Sequence, residues 1–244
     1  MTERARGEAW SLAFARRDGT GGFVRLTRWP DRAWFWTYVV SPAWGLVVVR
    51  DHDVAPPATV GSAVVRADAL WAELRSGSPD EHWAVTLEAF GVHLDDPLES
   101  ERGERGERRP VGLDVEWEAG AAPFGTVHGE LLVGDERADF DGTGTFVHES
   151  LADDAWDHAW RRLSWQGDGE SGHRVSGDAL GLELDAAGLP VAARVGSFDF
   201  TVAAVAVVPV GARLVLALLT GDAGWGWLEW CQPAAGEPGR IEDR

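Results

Sequence analysis

Gly221 to Gln232 reads G-D-A-G-W-G-W-L-E-W-C-Q, and its alternation decides how the rest of the chain is read. Successive side chains of a β-strand point to opposite faces, so Trp225, Trp227 and Glu229 share one face, with Gly224, Gly226, Leu228 and Trp230 on the other. A carboxylate thus stands in line with two indoles. If that face looks into a barrel, desolvation raises the Glu229 pKa, by up to roughly 3 to 5 units at full burial, and makes a general acid in an apolar cavity. If Glu229 instead lies on the solvent side, the tryptophans are core.

Strand signals begin at once on either side of this reading. Ala9 to Phe14, Gly22 to Leu26, Ala33 to Val40 and Gly45 to Arg50 are short, aromatic and β-branched, and turn residues such as Asp18-Gly19 and Pro30-Asp31 separate them into a meander. In the third, Trp34, Trp36, Tyr38 and Val40 lie opposite Phe35, Thr37 and Val39, as in a strand packed on two sides. Ser62 to Arg66 and Leu70 to Arg75 form a hairpin about Ala67-Asp68, followed by strands near His82 to Ala89 and Val111 to Glu118. Between those two, Asp95 to Pro110 mixes charges with Gly and Pro and predicts a solvated loop.

Ala119 to Gly125 is small and flexible, and the division between two β-domains, 1–120 and 121–244, is placed there. The second half repeats the pattern in Thr126 to Val133, Ala138 to Asp141, Leu180 to Leu184, Val191 to Phe198, Thr201 to Val210, Arg213 to Thr220 and Gly224 to Gln232. One segment departs from it. From Ser150 to Leu163 the apolar residues Leu151, Ala155, Trp156, Ala159, Trp160 and Leu163 follow a helical stripe, with Ser150 as cap and Arg161 and Arg162 at the far end. The fold class expected is all-β, two consecutive antiparallel barrels or sandwiches with one short helix in the second half.

Composition narrows the chemistry. The 244 residues carry a net charge of −18, and no basic patch interleaves with aromatics, so nucleic acid is not an expected partner. Lysine is absent altogether, which removes Schiff-base chemistry, a Walker-type phosphate loop and pyridoxal phosphate. Of 24 aromatic residues 14 are Trp, which suggests a large apolar interior or a flat-walled cavity. The single cysteine, Cys231, forms no intrachain disulfide and reads as a buried thiol more readily than as a nucleophile. No signal core and no long apolar run is present, so no membrane insertion is expected and the cytosol is the simplest location.

Glu8-Ala9-Trp10, Asp141-Gly142-Thr143-Gly144 and the terminal Gly224-Trp225-Gly226-Trp227-Leu228-Glu229-Trp230, in this order, resemble the two-barrel, lipocalin-like family that includes carotenoid 1,2-hydratase (hydroxyneurosporene synthase) and AttH-like proteins. The resemblance implies two lipocalin-like barrels, no cofactor, and addition of water to an alkene of a long isoprenoid; related proteins resemble cyclases or isomerases of polyenes and polyketides. The family's central motif runs approximately G-x-G-x-x-D-H-x-W-G. Here His148 follows Gly144 in one register, and in the other Asp157-His158-Ala159-Trp160 supplies D-H-x-W after an insertion. The second recovers more residue types.

Protonating an alkene needs an acid, a way to stabilise positive charge, and control of water. Glu229 or the Asp157/His158 pair is the candidate acid. Trp225, Trp227 and Trp160, with Trp34, Trp36 and Tyr38, are the candidate substrate walls, each ring worth about 0.5 to 2 kcal/mol against a cation. A pericyclic reaction would need only the shaped wall. His148, Asp154 and His158 fit no strong metal-ligand spacing, and neither metal nor cofactor is expected. His52, between Asp51 and Asp53, reads as a loop residue whose pKa its neighbours raise. No G-x-S-x-G, H-E-x-x-H or dinucleotide motif occurs. Two functions stand: a cofactor-independent hydratase, cyclase or isomerase acting on a bulky apolar molecule, and a binding protein of the same architecture for a hydrophobic small molecule.

Overall fold

The computed structural model describes residues 7–57, 62–78, 80–103, 105–121, 123–151, 156, 158–167 and 172–233. The aromatic and β-branched runs of the first half become β1 (Gly7–Ala15), β2 (Gly21–Arg28), β3 (Ala33–Ser41), β4 (Gly45–Val54), β5 (Ser62–Ala67), β6 (Leu70–Ser78), β7 (His82–Leu94), β8 (Glu107–Ala119), β9 (Phe124–Val133) and β10 (Glu136–Leu151). All ten join one antiparallel sheet in the order β4-β3-β2-β1-β10-β9-β8-β7-β6-β5. The sheet closes because β7 splits its pairing. Its first part bonds β6, while Val92 and Leu94 pair with Val48 and Leu46 of β4. The result is a ring of eight strands with the β5–β6 hairpin hanging from it.

The second sheet holds β11 (Trp160–Gln166), β12 (His173–Ser176), β13 (Leu180–Leu184), β14 (Pro190–Val195), β15 (Phe198–Pro209), β16 (Ala212–Gly221) and β17 (Gly224–Pro233), in the order β12-β11-β17-β16-β15-β14-β13. Its two edge strands follow each other in the chain. A one-turn 3-10 helix, Gly177–Ala179, joins them, and Arg161 Nε donates to Gly177 O at 2.9 Å to hold the join. The sheet therefore curls into a half-barrel. Close approach of backbones is built into the terminal motif: a Cβ on Gly226 would lie 1.9 Å from Ser164 O across the β11–β17 pair.

Four sequence expectations change. The sheets do not divide near residue 120, because β9 and β10 pair onward into β1, from Ala15↔Thr143 to Gly7↔Leu151, and complete the first barrel. Ser150 and Leu151 end β10, Trp156 lies in a turn and Trp160 to Leu163 open β11, so the described part of the stripe is not helical; Ala152, Asp153, Asp154, Ala155 and Asp157 lie outside the described residues. The charged segment 95–110 contains α1 (Glu99–Arg102) and the start of β8, whose charges face outward while its backbone pairs with β7. Finally, Val191 to Phe198 bends at Gly196, at φ 57°, into β14 and β15.

Each face of the strands has its own core. Trp10, Leu12, Phe14, Leu26, Phe35 and Val39 join residues from β5 to β10 in the lumen of the first barrel. Leu163, Trp165, Leu180, Phe200 and Leu228 fill the concave side of the second sheet, where β11 meets β13 across the curl. A third cluster unites the outer faces: Ala13, Phe23, Trp36, Tyr38 and Leu46 from the first barrel, with Leu216, Leu218, Trp225, Trp227 and Cys231 from the second. The two-sided reading of β3 is thus realised, Phe35 and Val39 inward and Trp36 and Tyr38 outward.

Candidate functional site at the seam between the barrels

The face that carries Trp225, Trp227 and Glu229 looks out of the half-barrel and into this seam. Register explains the layout. Ser11, Arg25 and Trp36 stand side by side on β1, β2 and β3, with Thr27, Trp34 and Glu149 in the adjoining row. From the second barrel Glu229 pairs across with Arg162, and Trp227 with Ser164. Trp227 Nε1 then donates to Phe14 O at 2.8 Å, a hydrogen bond from one barrel to the other.

The seam contains buried charge. Arg25 is 2% exposed, and its guanidinium donates to Ser11 Oγ at 2.9 Å, Glu149 Oε1 at 3.1 Å and Thr27 Oγ1 at 3.3 Å. Its Cζ lies 5.3 Å from the Trp156 ring centroid and 6.0 Å from that of Trp36. Across the seam Arg162 grips Glu229 with two bonds, Nε to Oε1 at 2.9 Å and Nη2 to Oε2 at 2.7 Å, and lies 5.6 Å from the Trp160 ring. Arg174, exposed on edge strand β12, donates from Nε to Ser164 Oγ at 3.1 Å.

These groups feel one another. Burial pulls the Arg25 pKa down while Glu149 and Glu229 push it up, and the net direction is down. Burial alone would raise the Glu229 carboxyl, but Arg162, through charge and hydrogen bonds, and then Arg25 and Arg174, outweigh it and hold the pKa below the usual carboxylate value. Glu229 is therefore buried and ionised. This reverses the raised pKa expected of a lone carboxyl in an apolar cavity, because the sequence pattern did not reveal that Arg162 would sit opposite it.

The other expected residues fall as follows. Trp36, Tyr38, Trp225 and Trp227 belong to the seam cluster, and Trp34 and Trp160 pack against it. His158 is exposed, two residues from each of Trp156 and Trp160; Asp157 lies outside the described residues. His148, on β10, stacks on Trp10 at 4.8 Å. Cys231 is buried, its Sγ 3.8 Å from Trp156 O. His52 is not a loop residue: it lies within β4, stacked on Trp34 at 5.0 Å and edge-on to Trp36 at 5.7 Å. Desolvation, then Arg50, lower its pKa to about 4 against the opposing pull of Asp51, so it is neutral at pH 7.

Sequence reasoning missed Arg25, Glu149, Arg162 and Trp156 as site residues. The signal for Arg25 was present, an arginine in the middle of a strand otherwise rich in apolar residues, G-G-F-V-R-L-T. Two cavities border the seam. One of about 20 Å³ lies between Ser164, Gln166, Trp225, Trp227 and Thr145, room for a single water. An open cleft of about 720 Å³ runs between the barrels from His93 and Leu94 to Leu189 and Val205.

With solved structures, the chain is similar to kievitone hydratase from Nectria haematococca, at a TM-score of 0.50 and 9% identity, covering 93% of this chain and 89% of that one. It is also similar to a putative AttH protein from Nitrosomonas europaea, at a TM-score of 0.42 and 12% identity, covering 93% and 92%. The first likeness is one of fold over almost the whole chain: two consecutive lipocalin-like β-barrels. No protein-family model and no curated protein matches the sequence. Among the described residues no helix is long and apolar enough to cross a membrane.

Proposed function

We propose that the seam is the working site of a cofactor-independent enzyme, a hydratase, cyclase or isomerase acting on a bulky apolar molecule such as an isoprenoid, polyene or polyketide. One observation carries this reading: the buried Arg25 and Glu229 and the half-buried Arg162 and Glu149 converge with indole faces from both barrels. Docking two barrels does not call for it. Burying an ion costs several kcal/mol even after relaxation, and apolar replacements of a buried pair are often neutral or stabilising, so mere adhesion favours an apolar seam. That kievitone hydratase has the same fold adds hydration to the candidate reactions.

In this reading the rings of Trp36, Trp156 and Trp160 face the carbon skeleton, and the carboxylates of Glu229 and Glu149 stabilise positive charge as a double bond is protonated. Glu229, held as the anion, serves as electrostatic partner or proton acceptor and not as the acid. The Asp157/His158 pair, on the chain leading into Trp160, is the candidate proton donor. Incubation with polyene, isoprenoid and polyketide panels in H2-18O, followed by mass spectrometry of products, tests the proposal. A product bearing the heavy oxygen marks hydration, and a rearranged product of unchanged mass marks cyclisation or isomerisation.

The ionised state of Glu229 also supports a second reading, a binding protein for a hydrophobic small molecule, since the seam's most buried carboxyl has no proton to give. Under it, the same incubations return every ligand unchanged.

A further inference from the structure

Strand β15 loses a neighbour partway along its length. β14 bonds it only from Val195↔Phe198 to Ala192↔Thr201, and beyond that point Val202, Ala204 and Val205 pair with β16 alone. Two features part the strands. Pro190, at the start of β14, has no N–H to give to a ladder. The turn before it is tied to itself: Asp185 Oδ1 accepts from the N–H groups of Ala187 at 2.8 Å and Leu189 at 2.9 Å, and the Leu189 side chain is buried with Val207 and Val215. Among the described residues no other backbone group bonds the open side of Val202 to Val205.

That open edge is one wall of the 720 Å³ cleft between the barrels. The walls around it are apolar, Val40, Leu46 and Leu94 from the first barrel and Leu189, Val191 and Val205 from the second. Small-molecule sites span about 300 to 1,000 Å³ and combine such walls with a few fixed polar groups. Here those groups are backbone ones, because an edge strand turns the N–H and C=O of alternate residues away from its sheet. The cleft thus offers neutral donors and acceptors. Charge at its rim disfavours an anion, since Asp18, Asp95 and Asp185 line it against Arg17. Nor do these carboxylates anchor a cation: Asp18 is bonded to Arg16, Asp185 to its own turn, and Asp95 lies 3.8 Å from His93.

We propose that the cleft binds a neutral, apolar small molecule that carries a hydroxyl group. Its body lies between the walls of the two barrels, and its hydroxyl, which both donates and accepts, sits on the open edge of β15. The site is separate from the charged cluster. Val40 lines the cleft, whereas Trp36, four residues back along β3 and so roughly 13 Å away, borders Arg25. Binding in the cleft therefore holds whether or not the charged cluster does chemistry.

Equilibrium dialysis of the intact chain with 1-decanol, decyl methyl ether and decanoate tests this. Decanol is expected to bind about 3- to 10-fold more tightly than the ether, which cannot donate, and more tightly than decanoate. Val191→Trp and Ala203→Trp, both at exposed positions on the cleft, place an indole in it. Each is expected to weaken decanol binding about tenfold or more, while Trp36→Ala leaves it unchanged. Decanol that does not bind, that binds no better than the ether or decanoate, or that both Trp variants hold as the parent does, would overturn the inference. Loss of decanol in Trp36→Ala alone would also overturn it, by moving the bound molecule to the charged cluster and leaving the working-site reading intact.

Discussion

The lumen of the first barrel and the seam between the barrels are both buried, but they are filled differently. In the lumen Trp83 stacks on Phe146 at 4.4 Å and Phe14 meets Phe140 edge-on at 5.0 Å, and the buried charged side chains among the described residues, Arg25 and Glu229, both lie in the seam instead. In the seam Ser11, Arg25, Thr27, Ser164 and Glu229 are buried beside the same kinds of aromatic ring. A lumen of this kind is stabilised by area removed from water and by close packing. The seam spends part of that gain on holding ions in place, and its groups are fixed by bonds that depend on each partner.

The sharpest way to break the contrast is to remove one partner. Glu229→Ala leaves the Arg162 guanidinium buried and unpaired, and is expected to cost about 3 to 5 kcal/mol in urea unfolding. The lumen change Trp83→Ala costs a similar amount, about 3 to 5 kcal/mol, by opening a cavity. The double change Arg162→Met/Glu229→Leu separates the two causes: it is expected to recover most of the seam loss, and a stability no better than that of Glu229→Ala would show that packing, not uncompensated charge, was lost.

Acid sharpens the same difference. The folded-state pKa of Glu229 lies below its ordinary value of 4.5, so the stability it contributes is fully present above pH 4.5 and is lost as pH falls through the folded value. Unfolding measured from pH 6 down to pH 3 should therefore fall less steeply in Glu229→Gln than in the parent, and Trp83→Ala should keep the parent slope.

His52 acts in a higher pH window. Its folded pKa is about 4 against an ordinary 6.5, so the unfolded chain binds more protons between those values and stability declines as pH falls from 6.5 towards 4. His52→Phe, which keeps an aromatic ring against Trp34, is expected to flatten the decline in that window, and an unchanged slope would place its origin elsewhere. The smallest effect belongs to the surface. Asp199→Asn breaks the exposed pair with Arg194 and should leave the midpoint of thermal unfolding essentially unchanged.

Much of this architecture could be read from alternation alone, because a period of two is set by local backbone geometry and survives in every strand. The residues Trp34, Trp36, Tyr38, Trp225 and Trp227 were legible as one kind of surface, and the structure brings them to one seam. What alternation lacks is knowledge of which face meets what. It assigned Trp225, Trp227 and Glu229 a common side but not the partner opposite, so Arg162 and with it the ionisation of Glu229 went unseen. The stripe from Ser150 to Leu163 misled for a related reason: the ends of two strands, read through the residues between them, happened to repeat at helical spacing. Ring closure was equally out of reach, since the pairings of β10 with β1 and of β4 with β7 join residues far apart in the chain.

That the seam, and neither lumen, holds the molecule this protein works on is tested most directly by native mass spectrometry of protein purified from its own producing cells. The parent is compared with the seam variant Trp36→Ala and the lumen variant Trp165→Phe, and any bound small molecule is extracted and identified. An apolar molecule is expected on the parent and on Trp165→Phe and is expected to be absent from Trp36→Ala. A ligand retained by Trp36→Ala and lost from Trp165→Phe would put the site inside the second barrel and contradict it.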